Sequence, residues 1–306
     1  MATIVFAVLP VFLMLFVGNL LRRVRFLDEA FWPAAEKLTF MVLIPALLLR
    51  SVATADLSGV AILPMAGAVV ATILVGFALS EILRRVLDIP GPAHTSVVQG
   101  TIRFNVYIAL PVIAGVFGPE GVALVAVPIA VIPPTVNVLS IWSLARHGAA
   151  QSPTLAGTAL TIARNPFILA TLAGALLNVT AIGLPPVIRQ MVDIMADASL
   201  LIGLLVAGAG LRLTLDRSRV ALAVLATGLR FVVMPAVAFV ACLIAGIDGI
   251  AMGTVVVFSS VPTATASYVL ARQMGGDADL MAVIITLQTG LGLISIPLTL
   301  YLIGAG

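Results

Sequence analysis

Apolar residues in this chain do not alternate with polar ones at a strand or amphipathic-helix period. They run on, broken at intervals by short stretches of Arg, Asp, Gly and Pro. A transmembrane helix needs about 20 mostly apolar residues. Ten such runs are present, at 3–21, 34–52, 60–83, 93–117, 121–144, 160–179, 187–211, 220–245, 250–273 and 280–303. The pattern predicts an all-α integral membrane protein with ten transmembrane helices. The first run begins at Ile4 with no basic stretch before it, which reads as a spanning helix and not as a cleaved signal peptide.

Composition agrees. Of 306 residues, 61% are hydrophobic and 9% are charged, against about 25% charged in soluble domains. A soluble fold could not hide that apolar surface, so the lipid bilayer is the expected partner. The net charge of +3 does not point to nucleic acid, because the basic residues sit in the gaps between runs. With the N-terminus outside, the cytoplasmic gaps and adjoining helix ends hold Arg22, Arg23, Arg25, Lys37, Arg84, Arg85, Arg146, Arg164, Arg212, Arg217, Arg219 and Arg272. The outer gaps hold only Arg50 and Arg189. Positive charge marks the cytoplasmic side, so both termini are expected outside, in a plasma membrane (the inner one in a bacterium).

The gap 146–164 reads as a cytoplasmic linker, with the helix after it beginning near 160. Five predicted helices precede it and five follow, giving repeats at 1–145 and 165–306. An odd number of spans per repeat makes similar halves run in opposite directions. The halves do share an order of features. Gly100-Thr101 leads to Asn105, Pro111 and Gly118-Pro119-Glu120-Gly121; Gly253-Thr254 leads to Ser259, Ser260, Pro262 and Gly275-Gly276-Asp277. Inverted repeats with paired broken helices characterise secondary transporters. The fourth and ninth predicted helices are the expected broken pair. Proline removes a backbone donor inside a helix, and polar residues cluster around each break: Arg103, Asn105 and Tyr107 before Pro111, and Ser259, Ser260 and Thr263 around Pro262.

Three stretches resemble a known family. Arg103-Phe104-Asn105-Val106-Tyr107-Ile108-Ala109-Leu110-Pro111 with Phe117-Gly118-Pro119-Glu120-Gly121 is similar to the fourth helix of the auxin efflux carriers. Asn165-Pro166-Phe167-Ile168 with Gly174-Ala175-Leu176-Leu177-Asn178 resembles the sixth, and Pro262 to Ala271 with Gly275-Gly276-Asp277 the ninth. The resemblance implies two inverted five-helix repeats, helices 4 and 9 crossing at the substrate site, a scaffold and a moving transport domain, and a homodimer. Bacterial members of that family are permeases for malate, malonate and similar anions. The family's polar residue before the first crossover maps onto Asn105, and its crossover prolines onto Pro111 and Pro262. The long cytoplasmic loop of the plant carriers is missing, which argues against auxin itself.

These readings give an expected function: secondary transport of a small organic anion, a mono- or dicarboxylate, by alternating access. The expected substrate residues are Arg103, Asn105, Tyr107, Pro111, Ser259, Ser260, Pro262 and Thr263. Arg103 and Arg230 fall inside spans, where a charge costs at least about 2.5–3.5 kcal/mol. Each guanidinium could bind a carboxylate, or instead satisfy an acid or helix-end carbonyls. Asn137, Gln288 and Thr289 could line the same space or bind a coupling ion. Asp193 and Asp197, four apart with Arg189 four before, share a helix face; they read as an interfacial ion-pair ladder or as proton carriers. Gly203, Ala207, Gly208 and Gly210 read as close-packing positions. No cofactor and no metal is expected; the driving gradient is one of protons or sodium. His94 and His147 are not spaced as ligands, and Cys242 is a lone cysteine. The competing readings are an intramembrane enzyme such as a polyprenyl transferase, with Asp193 and Asp197 as its faint motif, and a membrane sensor subunit.

Overall fold

The structure is a computed structural model that describes residues 2–54, 62–148, 166–180, 182–211 and 219–304. Among these residues it is built from helices: α1 Ala2–Arg23, α2 Phe31–Ala53, α3 Ile62–Val86, α4 Gly91–Ile102, α5 Val106–Leu124, α6 Ala126–His147, α7 Pro166–Thr180, α8 Pro186–Ala209, α9 Val220–Ile244, α10 Gly249–Ser260, α11 Ala266–Gln273 and α12 Ala278–Leu302. Where they are described, the apolar runs are largely helical, with 93–117 interrupted at 103–105 and 250–273 at 261–265. Seven stretches are long and apolar enough to cross a membrane, with Gly91–Leu124 taken as one, and α10 is a shorter apolar helix. The linker predicted at 146–164 lies, beyond Gly148, outside the described residues, as do Arg164, Arg212 and Arg217.

The outer surface is apolar and part of the interior is polar, as a bilayer solvent demands. Phe6, Leu63, Val179 and Ile244 are largely exposed, whereas Thr72, Ser80, Gln99, Thr101 and Thr254 are buried. Most of the buried hydroxyls bond to the carbonyl one turn back on their own helix, as Thr72 does to Ala68 at 2.7 Å and Thr101 to Val97 at 2.9 Å. This satisfies them without a partner from outside the helix.

The helices form two groups. In one, α1 packs on α8, and α2 packs on α7 and α8. Small residues set that contact: a Cβ on Gly208 would sit 2.0 Å from the Leu15 carbonyl oxygen, and one on Gly18 would sit 2.1 Å from that of Leu205. The expected close-packing role of Gly208 is thus met, with backbone against backbone. Asn19 of α1 donates to the carbonyls of Gly208 and Leu211 at the end of α8, at 3.2 and 3.1 Å. Asn178 of α7 does the same for Val52 and Ala53 at the end of α2, at 3.1 and 3.3 Å. In the other group α3, α4, α6, α9, α10 and α12 pack together, and α5 touches α10 there as well as α1, α2 and α8.

Prolines have three different outcomes. Pro45 and Pro235 lie two residues beyond π-helical turns, Thr39–Leu43 and Leu229–Val233, which widen the helix where the ring would crowd it. Pro262 lies in an extended stretch between α10 and α11. Pro111 is carried inside α5. The first break therefore falls at residues 103–105, upstream of the proline expected to mark it. The kink after it comes at Gly118, whose φ of 63° and ψ of −156° belong to a region open essentially to glycine alone. The helix resumes for one turn before α6 begins at Ala126, later than the 121 predicted.

Candidate functional site

Two helices stop in the same way at the centre of the molecule. Helices α4 and α10 are each 12 residues long. Their C-caps, Arg103 (φ −79°, ψ 155°) and Val261 (φ −79°, ψ 153°), turn the chain into the same extended conformation. The two extended stretches touch: the Asn105 amide donates to the Pro262 carbonyl at 2.9 Å. Asn105 then starts α5, its Oδ1 accepting from the Tyr107 amide at 3.0 Å, a standard N-cap. Backbone groups freed by a break must find partners in an apolar surround, and here each break supplies part of what the other lacks.

Arg230 supplies most of the rest. It is 1% exposed and rises from the π turn of α9. Its Nε donates to the Val261 carbonyl at 2.6 Å, Nη2 to Phe258 at 2.8 Å and Nη1 to Thr101 at 3.0 Å. One guanidinium thus caps the C-terminal ends of both broken helices. Contact with helix-end carbonyls is one of the alternatives expected of it. Gln288 of α12 is a second bridge: its Oε1 accepts from the Thr263 amide at 2.9 Å and its Nε2 donates to the Gly100 carbonyl at 2.9 Å. The Thr263 hydroxyl donates to the Gln99 carbonyl at 3.1 Å. The Gln99 side chain is fully buried, and neither of its amide atoms has a partner among the described residues.

Arg103 is different. It is half-buried, Nη1 reaches the Asn137 Oδ1 at 3.3 Å, and Nε is buried without a partner among the described residues. Arg103 and Asn137, each expected near the breaks, are therefore brought together, with guanidinium donors to spare. Ser259 lines a space of about 20 Å³ with Arg230, Phe104 and Thr72, room for one water. Ser260 folds back on the Val257 carbonyl at 3.1 Å. Thr289 is buried, its hydroxyl without a partner among the described residues. Tyr107 packs on Gly203, where a Cβ would come within 2.8 Å of the ring.

Asp193 and Asp197 are not among these residues. Both pair with Arg50 of α2, at 3.5 and 2.8 Å, and Asp197 is 73% exposed. The ion-pair reading is the one the geometry supports, with Arg50 as the cation in place of Arg189. A run of one helix cannot reveal this, because the partner comes from another.

Two features escaped the sequence reading. A half-open cavity of about 130 Å³ lies where the two helix groups meet, lined by Arg22, Glu36, Gly210, Thr265, Tyr268 and Ile285 among others. Arg22 is held there by the Ala209 carbonyl at 2.9 Å and by Glu29 at 2.7 Å. Glu36 could have been noticed, since it is an acid inside the second apolar run. Also, His94 and His147, dismissed as ligands on spacing, are brought together with Glu81. The end of α3, the start of α4 and the end of α6 meet at one end of the bundle, and linear spacing carries no trace of that.

Residues 154–300 match the family described as membrane transport protein. An uncharacterised transporter of Methanothermobacter thermautotrophicus is 28% identical over 299 residues, covering 95% of each chain. The second half of the chain is thus similar to the membrane transport protein family, and the chain as a whole is similar to a transporter. That family is the one of the auxin efflux carriers that the motifs resemble, and both similarities point to a transporter. The polar centre at the two breaks and the cavity between the helix groups are the candidate features for handling a solute.

Proposed function

We propose that the chain is a secondary transporter of small organic anions, mono- or dicarboxylates, working by alternating access around the two helix breaks. The observation that carries this reading is the electrostatic balance at the breaks. Helix C-termini carry about −0.5 charge each and N-termini about +0.5. The ends of α4 and α10 together hold about one negative charge, and Arg230 cancels it by bonding to both. The N-terminus of α11, which has no side-chain cap, and the guanidinium of Arg103, bonded to the neutral Asn137, are then left without a paired anion among the described residues. No carboxylate hydrogen-bonds to Arg103 or Arg230 among the described residues. A preorganised field of this sign favours an anion, and guanidinium matches a carboxylate with two parallel bonds.

The matching halves support an inverted repeat, 1–145 against 165–306, with ten spans. The two C-caps have near-identical dihedrals. The paired asparagines also fit: Asn19 caps the helix of the opposite half, and Asn178 returns the arrangement. The two helix groups correspond to a scaffold (α1, α2, α7, α8) and a transport domain carrying the breaks. A plasma-membrane location with both termini outside follows from the charge bias of the gaps, and a homodimer from the family resemblance. A polyprenyl transferase loses its support, since Asp193 and Asp197 are engaged by Arg50.

The test is uptake of labelled malate, malonate and monocarboxylates into proteoliposomes under imposed proton or sodium gradients. Accumulation of a carboxylate is expected, and it should be weakened by Arg103→Gln. A charge-assisted hydrogen bond contributes about 1.5–3 kcal/mol, so the apparent KM should rise about 10- to 100-fold. An Arg103→Gln protein with unchanged KM would remove Arg103 from the site. Failure of every carboxylate, with uptake of a cation or neutral solute, would overturn the anion reading.

A further inference from the structure

The geometry points to a site for a divalent transition-metal ion, zinc by its chemistry, formed by Glu81, His94 and His147 at the end of the bundle where α3, α4 and α6 meet. One ligand atom from each residue lies within 4.8 Å of the other two. The His94 Nε2 is 2.8 Å from the Glu81 Oε1, and the His147 Nε2 is 3.7 Å from the Glu81 Oε2. Tetrahedral zinc with bonds of about 2.0–2.1 Å holds its ligands about 3.3 Å apart, a value these separations bracket. The two imidazoles meet edge to face, with centroids 5.3 Å apart.

A hydrogen-bonded triad alone does not account for the arrangement. The His147 side chain is 8% exposed and the His94 side chain 0%, yet the His147 Nε2, 3.7 Å from the Glu81 Oε2, is buried with no hydrogen-bond partner among the described residues, and so is the His94 Nδ1. A buried ring nitrogen left unpaired beside a carboxylate is what a missing ligand acceptor leaves behind. Two imidazoles and one carboxylate are the donor set of three-ligand zinc sites, with a fourth position for water. Glu81 at 15% exposure provides the way in.

Charge sets the terms. Arg84 of α3 and Glu81 act on both histidines, and Arg146 of α6 acts on His147. Arg146 is drawn off over the Trp142 ring, 5.3 Å from its centroid. Arg84 stays near and opposes a dication, so the site should select ions that bind imidazole strongly over magnesium or calcium, which favour oxygen ligands. Binding would cross-brace three helix ends within one helix group.

The experiment uses the full-length chain without an affinity tag, purified in detergent. Zinc is titrated by calorimetry, and cobalt is used as a spectroscopic substitute. The expected result is one zinc per chain, visible-region cobalt bands of a low-coordinate nitrogen and oxygen site, and a rise in thermal unfolding temperature with zinc. His147→Gln and Glu81→Gln should each weaken zinc binding by about 100-fold or more and abolish the rise. Absence of zinc binding in the wild-type protein, or cobalt bands of a purely octahedral aqua type, would overturn the proposal whether or not the variants fold. Zinc affinity unchanged in both variants would do the same.

Discussion

The residue that most repays attention at the smallest scale is Arg230. A buried arginine inside a membrane span is expensive, and here the expense is met by three backbone carbonyls that would otherwise be orphaned. Each orphaned buried polar group costs about 1–3 kcal/mol. Arg230→Met should therefore lower stability by about 3 kcal/mol or more, read as a fall in thermal unfolding temperature in detergent. Arg230→Lys, with three donors but no planar fork, should recover part of that loss. An Arg230→Met protein as stable as wild type would mean that the caps contribute nothing. Arg103 should behave in the opposite manner, with transport impaired and unfolding temperature nearly unchanged. The two arginines looked alike in the sequence, each a lone charge in an apolar run. What separates them is which carbonyls lie within reach, and that is a tertiary fact. The same holds for Glu36 and Glu81: each sits near the end of an apolar run, where an acid normally meets water, and only the fold shows them facing a cavity and two histidines.

At the scale of elements, the sequence carried more. The described parts of the apolar runs are largely helical because length and hydropathy are local properties, and the bilayer leaves helix as the local solution for a run of this kind. Break positions were half legible. Arg103 and Asn105 marked the first one correctly, while Pro111, the stronger signal by residue type, did not. Proline inside a helix forfeits one bond, whereas Asn105 offers a cap and its amide finds Pro262; the capped start outweighs the proline. Gly118 gives a test of backbone demand. Nothing stands near a Cβ built there, so Gly118→Ala should destabilise through its dihedrals alone, by about 1–3 kcal/mol. Gly208 gives the complementary test of space. Its φ is helical, but a methyl would strike the Leu15 carbonyl, so Gly208→Ala should cost about 1–3 kcal/mol by overpacking. Chemical or thermal unfolding of the two variants should show similar losses from opposite causes. A second substitution, Gly18→Ala, should be less than additive with Gly208→Ala, since one separation of α1 from α8 relieves both.

At the scale of the whole molecule, the question is whether the two helix groups move against each other. Alternating access requires it, and the packing says where to look. Helix α12 of the second group meets α1 of the first, where a Cβ on Gly292 would lie 3.1 Å from the end of the Phe12 ring. Within the second group, a Cβ on Gly76 of α3 would lie 2.4 Å from the Met234 sulfur of α9. Cys242 is the native cysteine and is buried, so a Cys242→Ala background suits thiol chemistry. Bridging Phe12→Cys to Gly292→Cys with a short reducible cross-linker should stop carboxylate uptake in proteoliposomes, and reduction should restore it. Bridging Gly76→Cys to Met234→Cys joins helices that travel together, so uptake should survive. Uptake that continues at full rate through an α1–α12 bridge would exclude rigid-body motion of one group past the other. The cycle would then have to lie within a group, at the backbone bond from Asn105 to Pro262. That bond joins the two extended stretches directly, and its opening would not require either helix group to shift as a whole.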